Sequence, residues 1–93
     1  MKEAVLENDI IQYLRYMGIM CWRSHDAKHR PCEVGVPDII GCLGNGRMVA
    51  IEVKRPGKKA SAAQKDFINH LQAYNALAFV ATSLVDVQKA IGK

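Results

Sequence analysis

The segment that most restricts the fold is Gly44-Asn45-Gly46, set between the apolar stretch after Val36-Pro37-Asp38 and the apolar stretch holding Ile51-Glu52-Val53-Lys54. Glycine and asparagine tolerate the positive φ angles of a tight three-residue hairpin loop, and both flanks are apolar enough to be buried strands. With the loop centred on Asn45, antiparallel register places Asp38 directly opposite Glu52. Directly opposed side chains share a face, with Cβ atoms about 5 Å apart. Strand alternation groups Met48, Ala50, Glu52 and Lys54 on one face and Val49, Ile51 and Val53 on the other. One hairpin thus gathers two carboxylates and an ammonium. Opposed like charges repel, so the pair is costly unless a divalent cation or a nearby ammonium compensates it. Carboxylate oxygens are hard ligands suited to Mg²⁺ or Mn²⁺, with water and substrate phosphate completing the shell. Taken singly, Asp38 reads as a turn residue after Pro37, and Glu52 with Lys54 as a solvated strand pair. Their combination at hairpin spacing points to a metal-dependent nuclease site.

Around the hairpin the periodicities alternate. From Lys2 to Met17, apolar residues recur at helical spacing (Leu6, Ile10, Tyr13, Leu14, Met17), and Gly18 is placed to stop the helix. Glu3 and Glu7 project beside Ile10, Ile11 and Leu14, on or bordering the apolar face. Acids in a first turn also favour the helix dipole, so this placement has a purely structural reading too. Ile19 to Ser24 reads as a strand, His25 to Gly35 as an irregular basic loop, and Val36–Leu43 with Arg47–Lys54 as the hairpin. Arg55-Pro56-Gly57-Lys58-Lys59 breaks the second strand, and Ser61-Ala62-Ala63-Gln64 resembles a capping box that opens a helix to about Tyr74. Phe67, Ile68, Leu71 and Tyr74 keep the helical period and are expected to cover a sheet face. Leu77 to Ala81 is a short apolar strand, and Ser83 to Asp86 caps a last helix ending near Ile91. The order α-β-β-β-α-β-α predicts an α/β layer fold, a mixed sheet flanked by helices.

Ninety-three residues, 49% of them apolar, fit one small domain spanning residues 1–93 with a modest core. The net charge of +4 favours an anionic partner. No run approaches a membrane span, and no signal segment opens the chain, so a cytoplasmic protein is expected. Cys21, Cys32 and Cys42 form an odd set without a CxxC pair, which argues for reduced thiols. Cys21, His25, His29 and Cys32 are residue types that ligate zinc, but the loop would be tight and its Arg23, Lys28 and Arg30 suit a mobile basic segment better. Arg23, Lys28, His29, Arg30, Arg55, Lys58 and Lys59 flank the acids on loops, where cations meet phosphates without reading sequence. Trp22 is expected to pack in the strand core.

Val36-Pro37-Asp38, Ile51-Glu52-Val53-Lys54 and Ser61-x-x-Gln64, within this element order, resemble the motifs of the VRR-NUC domain of the PD-(D/E)XK nuclease superfamily, over nearly the whole chain. The resemblance implies a restriction-endonuclease-like core and a divalent metal, Mg²⁺ or Mn²⁺, held by Asp38 and Glu52 with the Val53 carbonyl as a further ligand. Lys54 would position or activate the attacking water, or stay protonated and stabilise the transition state. A helix glutamate joins such sites: Glu3 fits the family's usual spacing, Glu7 that of related archaeal junction resolvases. Gln64 matches a position beside the site, where its amide would contact the lysine or a phosphate, or merely cap its helix. Small stand-alone domains of this kind resemble homodimeric, structure-selective DNA endonucleases of phage or bacterial origin that act on branched DNA such as four-way (Holliday) junctions. Met17, Ile19, Met20, Trp22 or the Tyr74–Phe79 region would supply the dimer contact unless they are core. The competing expectation is a catalytically silent nucleic-acid-binding accessory protein.

Overall fold

In the computed structural model, which describes residues 2–24 and 34–92, the elements run α1 (Glu3–Tyr16), β1 (Met20–Arg23), β2 (Ile39–Cys42), β3 (Met48–Val53), α2 (Ala62–Ala73), β4 (Leu77–Ala81) and α3 (Leu84–Ile91). The expected order and every element type are present, with β1 to β3 shorter than their apolar runs. The sheet order is β1-β2-β3-β4, antiparallel between the first three strands and parallel between β3 and β4. This mixed sheet follows from the connections: a three-residue loop permits only antiparallel return, whereas α2 supplies the crossover that parallel strands need.

The hairpin loop forms as its residues predict. Leu43 N–H donates to the Arg47 carbonyl, Gly46 N–H donates back to Leu43, and Gly46 adopts φ +89°. The Asn45 side chain accepts from Arg47 N–H and closes the loop. The resulting register pairs Ile39 with Ile51 and Ile40 with Ala50.

Strand alternation divides the interior into two layers. Val49, Ile51 and Val53 point toward α1 and α3, where they meet Leu6, Ile10, Ile11, Leu14 and Val87 in the main core. Each fully buried aliphatic side chain contributes about 1.5–3 kcal/mol. On the opposite face Ala50 and Ala78 pack against Ile68 of α2 in a smaller cluster. Alanines there let α2 approach the sheet, and α2 lies over β4 rather than over β1.

That off-centre seat of α2 overturns two expectations. Trp22 is not in the strand core: it lies 44% exposed on the face that α2 leaves open, next to Met20 at 69%. Tyr74 follows the last residue of α2 and is 86% exposed, so Ile68, with partly buried Phe67 and Leu71, makes the packed stripe without it. Ile19, by contrast, is buried just before β1. Among the described residues no helix is long and apolar enough to cross a membrane.

Candidate active site

The C-terminal end of β3 is where the sequence-predicted acids meet. Leu43 and Arg47 form a hydrogen-bonded pair, so alternation makes Ile39 with Ile51 another and would make Pro37 with Val53 the next. Pro37 is fully buried and ends the regular ladder there. The Asp38 carboxylate takes the Val53 N–H instead, at 2.9 Å from Oδ2. Meanwhile the Asp38 carbonyl accepts from Ser24 N–H at the end of β1. Asp38 is thereby fixed from both sides, one step beyond the last ladder pair and level with Glu52.

Glu52 is only 2% exposed. Its Oε2 lies 3.6 Å from Lys54 Nζ and accepts from Gln64 Nε2 at 3.1 Å. Its Oε1 is buried with no hydrogen-bond partner among the described residues. Burial, reinforced by the neighbouring Asp38 carboxylate, pushes the Glu52 carboxyl up to about 8, and Lys54 opposes this only in part. A buried carboxylate oxygen without a partner normally costs about 1–3 kcal/mol or more. Its persistence beside a second carboxylate is what a site built for a cation looks like. Among the described residues no third His, Cys, Asp or Glu completes the group, which suits Mg²⁺ or Mn²⁺, ions that keep several waters, better than an all-protein cage. The residues present therefore fit a hard divalent cation.

Gln64 has two functions at once. Ser61 Oγ accepts from Gln64 N–H, and Gln64 Oε1 accepts from Ser61 N–H at 2.8 Å, so the capping box is complete. The remaining amide nitrogen turns to Glu52. The sequence offers the lysine or a phosphate as its partner, or the helix cap alone; the structure gives the cap and, in place of lysine or phosphate, the acid. Gly35 secures this junction and was not singled out by the sequence. Its φ is +91°, and a Cβ there would sit 2.6 Å from the Ala63 carbonyl oxygen. The chain entering Asp38 thus rests directly on the first turn of α2.

The two helix glutamates separate. Glu3 Oε2 accepts from Arg55 N–H at 3.3 Å and borders a cleft of about 370 Å³ with Lys2, Lys54, Arg55 and Lys58. Glu7 instead pairs with Arg23, 2.7 Å from Nε, and Arg23 also reaches Asn8. Arg23 is therefore engaged on the α1 side, while Arg55 and Lys58 line the cleft and Lys59 is exposed beside it. Lys2 joins them unforeseen, because a lysine opening a helix carries no motif. Lys28, His29 and Arg30 lie outside the described residues, as do His25 and Cys32 of the zinc reading; Cys21 is buried with its thiol toward the Ile11 carbonyl. The N-termini of α1 and α2 both face this end of the sheet, through Glu3 and Gln64, and helix N-termini carry partial positive charge that favours anions.

A family model for the VRR-NUC domain matches residues 2–84. Two solved structures are similar in fold. One, described as a VRR-NUC domain, superposes with a TM-score of 0.75 at 23% identity, over 96% of this chain and 92% of that one. The other, a VRR-NUC domain protein, gives a TM-score of 0.74 at 24% identity, over 98% of this chain and 85% of that one. No curated protein matches. The shared architecture is a restriction-endonuclease-like mixed sheet flanked by helices.

Proposed function

Because the chain belongs to the VRR-NUC domain family, a nuclease-type fold, we propose that it is a divalent-metal-dependent endonuclease that hydrolyses phosphodiester bonds in branched DNA such as four-way junctions. The observation that carries this reading is the opposed Asp38–Glu52 pair, with Glu52 buried and its Oε1 lacking a partner among the described residues. Asp38, Glu52 and the Val53 carbonyl would hold Mg²⁺ or Mn²⁺. When bound, such an ion supplies a polarised water and neutralises charge growing on the phosphate.

The chain's own residues prepare that chemistry. Lys54 projects from the face of Glu52, where its ammonium positions the attacking water or meets the phosphate. Gln64 holds Glu52 Oε2, leaving Oε1 for the ion. Lys2, Arg55 and Lys58 line the cleft beside Glu3 and take neighbouring phosphates without reading bases. A homodimer would match the two-fold symmetry of a junction. Exposed Tyr74 remains available for such a contact, whereas Ile19 is committed to the core. The setting of this activity would be the cytoplasm of a bacterial or phage-infected cell.

The test is cleavage of junction, flap, duplex and single-stranded DNA with Mg²⁺, Mn²⁺ or EDTA. Junction cleavage that needs either ion is expected. Binding without cleavage under all three conditions would replace the enzyme with an accessory protein.

A further inference from the structure

The sheet face that carries the acids continues past them onto β1. Register aligns Trp22, Ile40, Ala50 and Ala78 in one row across the strands, and Asp38 with Glu52 in the next row toward the site. Trp22 is thus the diagonal cross-strand neighbour of Asp38, a separation of about 7–8 Å. Cys21 and Arg23 point to the α1 side and Trp22 to the side of the acids. With α2 seated over β4, the indole stands 44% exposed beside partly buried Ile40.

An exposed indole one residue row from a phosphate site has a specific chemical use. Every nucleobase has a π-face, and aromatic side chains on sheets serve as platforms for bases freed from a duplex. The chain as a whole carries a net charge of +4, and Lys54 lies on this face beside Asp38 and Glu52, whose charge a bound cation would offset. That balance favours an anionic strand across the patch over a second, equally positive copy of the chain.

We propose that Trp22 is a positioning residue whose indole stacks on the nucleobase flanking the phosphate held at Asp38 and Glu52, so that the protein selects DNA in which this base is unpaired. The inference rests on the nuclease reading for the location of the phosphate, and it names the substrate feature that the site recognises. A base inside continuous duplex is stacked on both sides and offers no free face. A base at a branch point does.

Trp22 is the only tryptophan, so its emission reports the contact directly. The full chain is titrated in EDTA with a four-way junction, a blunt duplex, and a junction abasic at the branch nucleotides, while anisotropy of labelled DNA measures binding separately. Quenching by the intact junction, with little quenching by the other two at equal occupancy, is expected. Trp22→Ala should weaken the intact junction about tenfold or more and leave the abasic junction near wild type, and Trp22→Phe should recover most of the loss. Three results would each overturn the stacking: unchanged emission on junction binding, equal loss on intact and abasic junctions, or emission that varies with protein concentration before DNA is added. A protein that shows the selective quench yet never cleaves in Mg²⁺ or Mn²⁺ would support the stacking and overturn only the hydrolytic reading.

Discussion

Gln64 donates to Glu52 Oε2 at 3.1 Å while its own carbonyl oxygen accepts from Ser61 N–H, so a helix cap and a site acid share one side chain. The arrangement links the start of α2 to the end of β3. It also makes the two functions separable, because glutamate caps a helix as glutamine does.

Gln64→Glu should keep the cap and lose the donor, placing a third carboxylate against Glu52. Cleavage is expected to fall about tenfold or more, since one charged contact is worth roughly 1.5–3 kcal/mol, while helix content stays at the wild-type level. Gln64→Ala should lose cleavage and, with the cap, about 1 kcal/mol of stability. Wild-type cleavage by Gln64→Glu, measured in Mg²⁺, would show that the contact with Glu52 has no part in the reaction.

The opposed acids make a paired prediction for activity and stability. Asp38→Asn and Glu52→Gln should each abolish cleavage, because each removes a metal charge without changing side-chain volume. In EDTA the same variants should be more stable than wild type, because Glu52→Gln removes the buried acid itself and Asp38→Asn removes the like charge beside it. Adding Mg²⁺ or Mn²⁺ should raise the wild-type melting temperature and leave Glu52→Gln nearly unmoved. Thermal melts with and without the ion decide this, and an equal response of both proteins would remove the metal from the pair.

For the helix glutamates the geometry favours Glu3. Glu3→Gln should slow cleavage, with partial recovery in high Mn²⁺, since the residue borders the cleft with Lys54. Glu7→Gln breaks a half-exposed pair with Arg23 that is worth about 0.2–1 kcal/mol. Its cleavage rate should stay near wild type. The reverse pattern in side-by-side kinetics would move the helix acid of the site to Glu7.

How far the sequence reached depends on how local each determinant is. The Gly44-Asn45-Gly46 loop and period-2 alternation set the register within a few residues, so the Asp38–Glu52 pairing and the shared face of Lys54 were legible. Glu3 and Glu7 lie one helical turn apart with the same chemistry, and only the packing of α1 beside Arg23 and Arg55 distinguishes them. Apolar periodicity places Trp22 and Tyr74 in the interior, where the structure does not, because periodicity does not say where along a sheet a helix will rest. The need for glycine at Gly35 comes from the Ala63 carbonyl, a contact between distant parts of the chain that no local pattern encodes. The second use of the Gln64 amide is hidden for the same reason, since a capping box fixes one end of the side chain and tertiary structure supplies the partner for the other.

The last prediction concerns pH and lies away from the site. Asp86 Oδ2 accepts from Thr82 N–H at 2.9 Å and from the Thr82 hydroxyl at 3.1 Å, and the Ser83 hydroxyl caps Asp86 N–H. These bonds, the Thr82 backbone one foremost, hold the Asp86 carboxyl below its usual range against a smaller opposing effect of burial. A carboxylate depressed in the folded state contributes stability that is fully present above its unfolded value, about 3.9, and is lost as pH falls through the folded value. Asp86→Asn should therefore destabilise the protein by about 1–2 kcal/mol near pH 7, the worth of a charge-assisted bond to backbone. The difference from wild type should shrink as pH drops below about 4. Denaturant melts of both proteins at pH 7, 5 and 3 measure it, and a gap that stays constant across the three would show that the charge of Asp86 contributes nothing to the α3 cap.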